Sequence, residues 1–156
     1  MKFKNNWISY NGEIYNFIEI RKELILNGYD FVSSTDTEVV IKAYDFWGEK
    51  CLSKFNGMWS FVIWDNSKKS IFISNDRFGV KPLFWSYREG KLSFASELKS
   101  IKTLPDFDPE LDPEGLSVFL GLFYIPDPWT IYRHVHRLRP GHCLVLSDSG
   151  LEDIEY

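Results

Sequence analysis

Four short apolar runs in the middle of the chain constrain the fold more than any other feature of the sequence. They cover residues 57–64, 70–74, 82–87 and 91–96, and they are rich in the aromatic and β-branched residues that favour strands. The last two runs are joined by Arg88-Glu89-Gly90, which is typical of a hairpin loop with glycine in the left-handed position. We therefore predict four strands in meander order that form one antiparallel sheet.

Three segments have the hydrophobic period of a helix. Two precede the apolar runs, at residues 16–28 and 34–48; each starts with a residue suited to helix capping, Asn16 or Thr35, and ends at a glycine. The third begins at Asp112, with proline in the first helical position. Its predicted apolar face consists of Leu116, Phe119, Leu120 and Phe123. With one strand before the first helix and another near the end of the chain, this order predicts an α+β fold in which helices pack on sheets.

The composition fits one domain and excludes several kinds of partner. A chain of 156 residues with 44% hydrophobic and 17% aromatic content can bury a substantial core. The net charge is −4 and there is no block of basic residues, so we expect no nucleic-acid partner. No apolar run is long enough to span a bilayer, and the N-terminus has no signal-peptide pattern. We therefore expect a cytoplasmic protein with no membrane partner.

The cysteines and histidines do not form a clear metal pattern. Cys51 and Cys143 lie far apart in the sequence, and we expect both to be reduced and buried. His134 and His136 would share one face of a strand, with His142 as the nearest third ligand. The arginines interspersed with these histidines, Arg133, Arg137 and Arg139, would repel a cation. We expect no metal site.

The stretch from Trp7 to Asn16 is interpreted as a strand, a turn and the start of a helix. Asn11-Gly12 is the commonest dipeptide for backbone with positive φ, which favours a turn there. The alternative is functional: the Asn11 carboxamide and the Gly12 backbone N–H could both donate to an oxygen that becomes negative during acyl transfer. Asp36, in the first turn of the second helix, leaves a similar choice between helix capping and binding of an ammonium group.

The connection at residues 75–82 is too charged to be a loose loop. We predict that Asp76 and Arg77 pair and fix it. Lys81 is either a ligand for a bound group or a solvated side chain, and a solvated or interdomain face is the simpler interpretation.

Five sequence blocks in the same order resemble one known family. They are residues 11–16, 34–38, 56–58, 76–83 and 94–97, and they are similar to the glutaminase domain of glutamine-hydrolysing asparagine synthetase, a class II glutamine amidotransferase. The resemblance implies the α/β/β/α sandwich of the N-terminal-nucleophile hydrolases. It also implies that an N-terminal cysteine thiolate attacks the side-chain amide of glutamine, with the α-amine of that cysteine as base.

The resemblance also implies roles for individual residues. Asn11 and Gly12 match the oxyanion hole, and Glu13 belongs to the same glutamine-binding block. Asp36 matches the carboxylate that holds the α-ammonium of glutamine. The family's opening Met-Cys-Gly, and an upstream arginine that grips the α-carboxylate, have no counterpart, because this chain opens Met1-Lys2-Phe3-Lys4.

We therefore expect residues 1–156 to be a single partial amidotransferase domain, incomplete at its N-terminus and inactive alone. A synthetase domain or companion chain would receive the ammonia, and ATP and magnesium would be needed there, with no cofactor in this domain. Missing strands would leave apolar faces uncovered, such as those bearing Phe61, Ile63 and Phe72, so self-association is expected. Two alternatives stay open: an amidotransferase for another acceptor such as a sugar in polysaccharide synthesis, or a non-catalytic glutamine-binding or assembly module.

Overall fold

The computed structural model of the chain describes all residues, 1–156. The helices are α1 (Phe17–Leu26), α2 (Asp36–Trp47), α3 (Leu98–Ile101) and α4 (Pro113–Leu122), and a 3₁₀ segment covers Gly48–Lys54. The strands are β1 (Lys2–Phe3), β2 (Asn6–Ile14), β3 (Gly57–Asp65), β4 (Ser70–Asn75), β5 (Phe84–Arg88), β6 (Lys91–Ala95), β7 (His136–Arg137), β8 (His142–Ser147) and β9 (Gly150–Glu155). None of the helices has the length and apolar character that crossing a bilayer requires.

The strands form two antiparallel sheets. The large sheet has the order β1-β2-β3-β4-β8-β9 and the small sheet the order β6-β5-β7. The prediction of one four-stranded meander is therefore wrong, although all four of its strands exist. β4 pairs with β8 instead of β5, with Phe72 opposite Val145, and β5 begins the second sheet.

The chain changes sheets at the turn that follows β4, and Asp76 holds this turn. The fully buried carboxylate of Asp76 accepts hydrogen bonds from four backbone N–H groups, those of Trp59, Phe78, Val80 and Lys81. The Arg77 guanidinium donates to the carbonyl oxygens of Leu52 and Phe55 at 3.0 and 2.9 Å. The predicted Asp76–Arg77 pair is therefore wrong: each side chain satisfies backbone groups, which are costly to leave unpaired when buried.

Two apolar clusters fill the spaces between the layers of helices and sheets. The larger one lies between α1, α2 and the large sheet, and includes Leu24, Val39 and Ile41 from the helices. The smaller one lies between the two sheets, where Val62 and Leu144 of the large sheet contact the side of the small sheet that bears Leu83 and Trp85. α3 packs on the small sheet. This succession of helices, two sheets and helix is the predicted α/β/β/α arrangement.

The apolar faces on which the expected self-association was based are covered. Phe61, Ile63 and Phe72 are each at most 1% exposed, because they pack under the two helices, and Phe72 stacks on Tyr44 of α2. Exposed apolar surface occurs instead on α4 and just after it. The side chains concerned are Leu116, Phe119, Leu120, Leu122, Phe123 and Tyr124.

Two of the three predicted helix caps form side-chain hydrogen bonds, and one does not. Thr35 caps α2 by accepting from the N–H of Glu38, and Asp112 caps α4 by accepting from the N–H of Glu114, as predicted. Asn16 precedes α1 but makes no side-chain cap. Its carboxamide instead donates to the Lys54 carbonyl and accepts from the Asn56 N–H, which ties the end of β2 to the segment before β3.

Candidate functional site

The structure places no turn at Asn11-Gly12. β2 continues to Ile14, and Gly12 does not have a positive φ. Glycine is required there for a different reason: a Cβ on Gly12 would lie 2.3 Å from the Met58 carbonyl oxygen and 2.6 Å from Trp59 Cα. The turn interpretation of this dipeptide is therefore wrong, since the two strands approach too closely for a side chain.

The backbone N–H of Gly12 faces the open edge of β2. Backbone N–H groups alternate sides along a strand, so those of Ile8, Gly12 and Ile14 point to the same edge. Ile8 bonds there to the Met1 carbonyl at 2.9 Å, and Ile14 bonds to the Asp36 carboxylate at 3.0 Å. β1 pairs only as far as Trp7. Gly12 therefore presents its donor on a part of the edge that β1 does not cover.

The Asn11 side chain lies on the side of β2 that faces the small sheet. It shares that side with its ladder partner Ser60, and both line a cavity of about 190 Å³ between the sheets. Ser60 is 2% exposed, and its hydroxyl has no hydrogen-bond partner in the protein. Glu13 also lies on this side and is exposed. The Asn11 amide and the Gly12 N–H thus border the corner where the sheet face meets the strand edge.

Asp36, at the start of α2, lies at the same edge of β2 as the Gly12 N–H. It is the first residue of α2, yet its carboxylate does not cap the helix, because Thr35 fills that role. Oδ2 accepts from the Tyr10 hydroxyl at 2.6 Å and from the Ile14 N–H at 3.0 Å. Oδ1 takes no hydrogen bond from the protein. One carboxylate oxygen is therefore anchored and the other is available to a cationic group.

A buried network fixes the chain immediately before Asp36. The Glu38 carboxylate accepts from the Val32 and Ser33 N–H groups and from the Ser33 hydroxyl, and it pairs with Lys42 at 2.7 Å. Burial alone would raise the pKa of Glu38, but the hydrogen bonds from Lys42, Ser33 and Val32 lower that pKa to about 2. Lys42 also donates to the Asp30 carbonyl. The loop before α2 is thereby held at both sides.

Neither cysteine can act as a nucleophile at this edge. Cys51 and Cys143 are 0% and 2% exposed, within the cluster under the helices, as expected. Burial raises the pKa of the Cys51 thiol far above its usual value and that of Cys143 to about 12. Both therefore remain neutral thiols near neutral pH.

The histidines bind different partners. The His136 ring packs against Trp85 at a tilt, and the His142 ring forms a hydrogen bond with Asp153 at 2.7 Å. His134 lies 3.5 Å from Glu110 and 3.9 Å from Asp108, a grouping of possible ligands that the sequence spacing did not indicate. Arginines pair with both acids of this partly exposed group, Arg88 with Asp108 and Arg133 with Glu110. Their charges are already compensated within the protein.

Comparison with known sequences identifies the family. The profile of the "Glutamine amidotransferase domain" family matches residues 1–156. The chain belongs to this family. Its curated relatives include "Asparagine synthetase [glutamine-hydrolyzing] 3" of Bacillus subtilis, 39% identical over 96% of this chain and 24% of the relative. "Putative asparagine synthetase [glutamine-hydrolyzing] 2" of Methanocaldococcus jannaschii is 36% identical over 96% of this chain and 29% of its own length. The chain therefore spans about a quarter of the length of such relatives.

Solved structures agree on the fold. The glutamine phosphoribosylpyrophosphate amidotransferase of B. subtilis superposes with a TM-score of 0.68 at 18% identity, over 99% of this chain and 30% of that one. A class-II domain protein of Silicibacter pomeroyi gives 0.57 at 14% identity, over 97% of this chain and 68% of that one. The chain thus has the sandwich fold of the N-terminal-nucleophile type.

Two residues of this region escaped prediction from the sequence. Tyr10 holds Asp36 and Ser60 faces Asn11, but both contacts join segments that are far apart in the sequence. The only available signal is the alternation in β2, which puts Tyr10 on the side of Ile8 and Asn11 on the other.

Proposed function

We propose that residues 1–156 form the glutamine-binding part of a glutamine-hydrolysing asparagine synthetase. The single observation that carries this proposal is that the free Oδ1 of Asp36 and the N–H of Gly12 share one open edge of β2. Glutamine has a cationic end and an amide end, and an extended ligand along this edge meets a carboxylate at one end and a donor pair at the other. Asn11 completes that pair, and the exposed Glu13 borders the same site.

The chemistry follows from these contacts. A thiolate attacks the amide carbon of glutamine, a C–S bond forms, and the carbonyl electron pair moves onto oxygen. Asn11 and Gly12 donate to that oxyanion, which lowers the barrier because their dipoles are in place before the charge develops. The C–N bond then breaks, nitrogen takes a proton and leaves as ammonia, and water hydrolyses the thioester to glutamate.

The proposal takes the thiolate from outside residues 1–156. Cys51 and Cys143 are buried in the apolar cluster under the helices, and burial raises the pKa values of both thiols, which keeps them protonated. The names of the relatives support asparagine as the product. In this proposal the ammonia passes to a synthetase domain or companion chain, and ATP and magnesium act there instead of in residues 1–156. The cytoplasm stays the proposed location.

Binding and turnover test the proposal separately. In an NMR titration of the chain, L-glutamine is expected to shift the backbone amides of Gly12, Ile14 and Asp36 saturably, whereas L-glutamine without its α-amino group (glutaramate) binds more weakly. In an ammonia assay, the chain alone is expected to release none. Absence of saturable shifts would overturn the proposed site. Ammonia release that survives a Cys51→Ala, Cys143→Ala double change would overturn the proposed source of the nucleophile.

A further inference from the structure

The contact between Tyr10 and Asp36 joins the strand to the helix at the proposed site. The Tyr10 hydroxyl donates to Asp36 Oδ2 over 2.6 Å, within the short range of hydrogen bonds to a carboxylate. The Tyr10 ring packs against the apolar cluster beneath the helices, so its position is set by the core. Because the tyrosine side chain has few rotatable bonds, its packing fixes the position of the hydroxyl beside Asp36.

The direction of this contact decides which carboxylate oxygen is free. Tyr10 and the Ile14 N–H both bind Oδ2, and two donors on one oxygen fix the plane of the carboxylate. Oδ1 then points away from both. Without the hydroxyl, only the Ile14 N–H would hold the group, and the carboxylate could rotate so that neither oxygen has a fixed direction.

We propose that Tyr10 is a positioning residue for substrate recognition, which orients Asp36 so that Oδ1 receives the ammonium of an α-amino acid. This inference rests on the proposed function and adds to it the residue that makes Asp36 selective for the ammonium end. Burial, the hydrogen bond to Asp36 and the charge of Asp36 all raise the pKa of Tyr10 well above its usual value, so the phenol stays a donor.

A second tyrosine–aspartate pair in the chain provides a matched control for the pair of Tyr10 and Asp36. Tyr29 donates to Asp45 Oδ2, also over 2.6 Å, and burial and Asp45 raise its pKa in the same way. This second pair connects the segment after α1 to the far end of α2, where Lys4 also pairs with Asp45 and the Tyr29 ring packs against Phe3 of β1. Tyr10→Phe and Tyr29→Phe therefore remove the same hydroxyl from the same kind of pair, and only the first touches the proposed site.

The experiment compares the dissociation constants of L-glutamine and of glutaramate, which lacks the α-amino group, for the unaltered chain and both variants. Tyr10→Phe is expected to weaken L-glutamine binding roughly 10- to 100-fold, which corresponds to the loss of a hydrogen bond to a charged group, and to leave the affinity for glutaramate within about twofold. Tyr29→Phe is expected to change neither. Thermal unfolding of both variants shows that they are folded.

Each outcome decides the inference. Equal L-glutamine affinity of the unaltered chain and Tyr10→Phe would overturn the role of Tyr10 and leave the proposed function standing. Equal weakening of both ligands by Tyr10→Phe would also overturn it, because a general disturbance of the site does not discriminate between them. If the unaltered chain binds no L-glutamine, the proposed function fails and this inference fails with it.

Discussion

Gly12 of β2 lies directly opposite Trp59 of β3, so close that a methyl group on Gly12 would come within 2.6 Å of Trp59 Cα. This approach explains a glycine in the middle of a nine-residue strand, where the residue otherwise weakens the ladder. The same position supplies the N–H that faces the open edge. One residue therefore serves both the packing of the sheet and the proposed oxyanion site.

Gly12→Ala is expected to lower the free energy of unfolding by about 1–3 kcal/mol, because the strands must separate to admit the methyl group. Gly121→Ala is the control, since a Cβ at Gly121, inside α4, would meet nothing within 4 Å. That change is expected to raise stability by about 0.5–1 kcal/mol, because alanine is the better helix former. Urea denaturation measures both. Equal effects of the two substitutions would contradict the close approach of β2 and β3.

The sequence predicted local elements better than their pairing. The runs at residues 57–64 and 70–74 correspond to β3 and β4 within one residue, because alternation and turn residues are local properties. The pairing of Phe72 with Val145 is a contact between segments 73 positions apart (145 minus 72), which no local pattern encodes. β9 was missed because it is an edge strand that contributes only Leu151 and Ile154 as large apolar residues.

The candidate site shows the same difference between local patterns, which the sequence reveals, and long-range contacts, which it does not. Asn11, Gly12, Glu13 and Asp36 were picked out through a resemblance, and the structure brings Gly12 and Asp36 to one strand edge and Asn11 to the adjoining face. The dipeptide alone suggested a turn, because the common use of Asn-Gly in turns outweighs its rarer use in a strand. That Asp36 is not the cap of α2 follows only from seeing Thr35 make that contact.

The acid sensitivity of folding is expected to depend on Glu38. Its pKa is lowered from the ordinary 4.5 to about 2 in the folded chain, so the unfolded chain binds the proton more tightly. The resulting stabilisation is fully present above about pH 4.5 and is lost as pH falls towards 2. We expect Glu38→Gln to remove roughly 2–3 kcal/mol of pH-dependent stability across that window.

Denaturant unfolding between neutral pH and the most acidic pH at which the chain stays folded measures this effect. The difference in unfolding free energy between the unaltered chain and Glu38→Gln is expected to shrink as pH falls. Glu152→Gln is the control, because Glu152 is exposed on β9 and its side chain makes no hydrogen bond or ion pair. A difference for Glu38→Gln that stays constant with pH would contradict the role assigned to its charge.

Self-association is expected to involve α4 instead of the sheet faces. Leu120 of α4 and Phe123 just after it are 68% and 82% exposed, and further exposed apolar side chains lie on the same helix. Large exposed apolar patches generally find partners. Leu120→Glu is therefore expected to reduce the average mass in light scattering at high protein concentration. Leu26→Glu changes a leucine at the end of α1 that is even more exposed, at 87%, and is expected to have no such effect. A monomer at every concentration would contradict this prediction.

Asp36 and Asn11 are expected to affect different kinetic constants in a protein extended upstream of Met1 by a segment that begins Met-Cys-Gly. Asp36→Asn keeps an oxygen that can accept from Tyr10 and Ile14, so the fold is preserved, but it removes the charge that would pair with the α-ammonium of glutamine. The Michaelis constant should rise, at a cost of roughly 1.5–3 kcal/mol, or about ten- to a hundredfold in the specificity constant.

Asn11→Ala should instead lower the turnover number, because its amide matters most when negative charge develops on the substrate oxygen. The expected loss is roughly a hundred- to a thousandfold. Steady-state kinetics with glutamine measures both variants, and circular dichroism confirms that each is folded. If Asp36 only favoured the first turn of α2, asparagine would serve nearly as well and the Michaelis constant would stay the same. Small and equal effects at the two positions would remove the substrate site from this edge of β2. A raised Michaelis constant in Asp36→Asn together with a lowered turnover number in Asn11→Ala assigns binding to Asp36 and oxyanion stabilisation to Asn11.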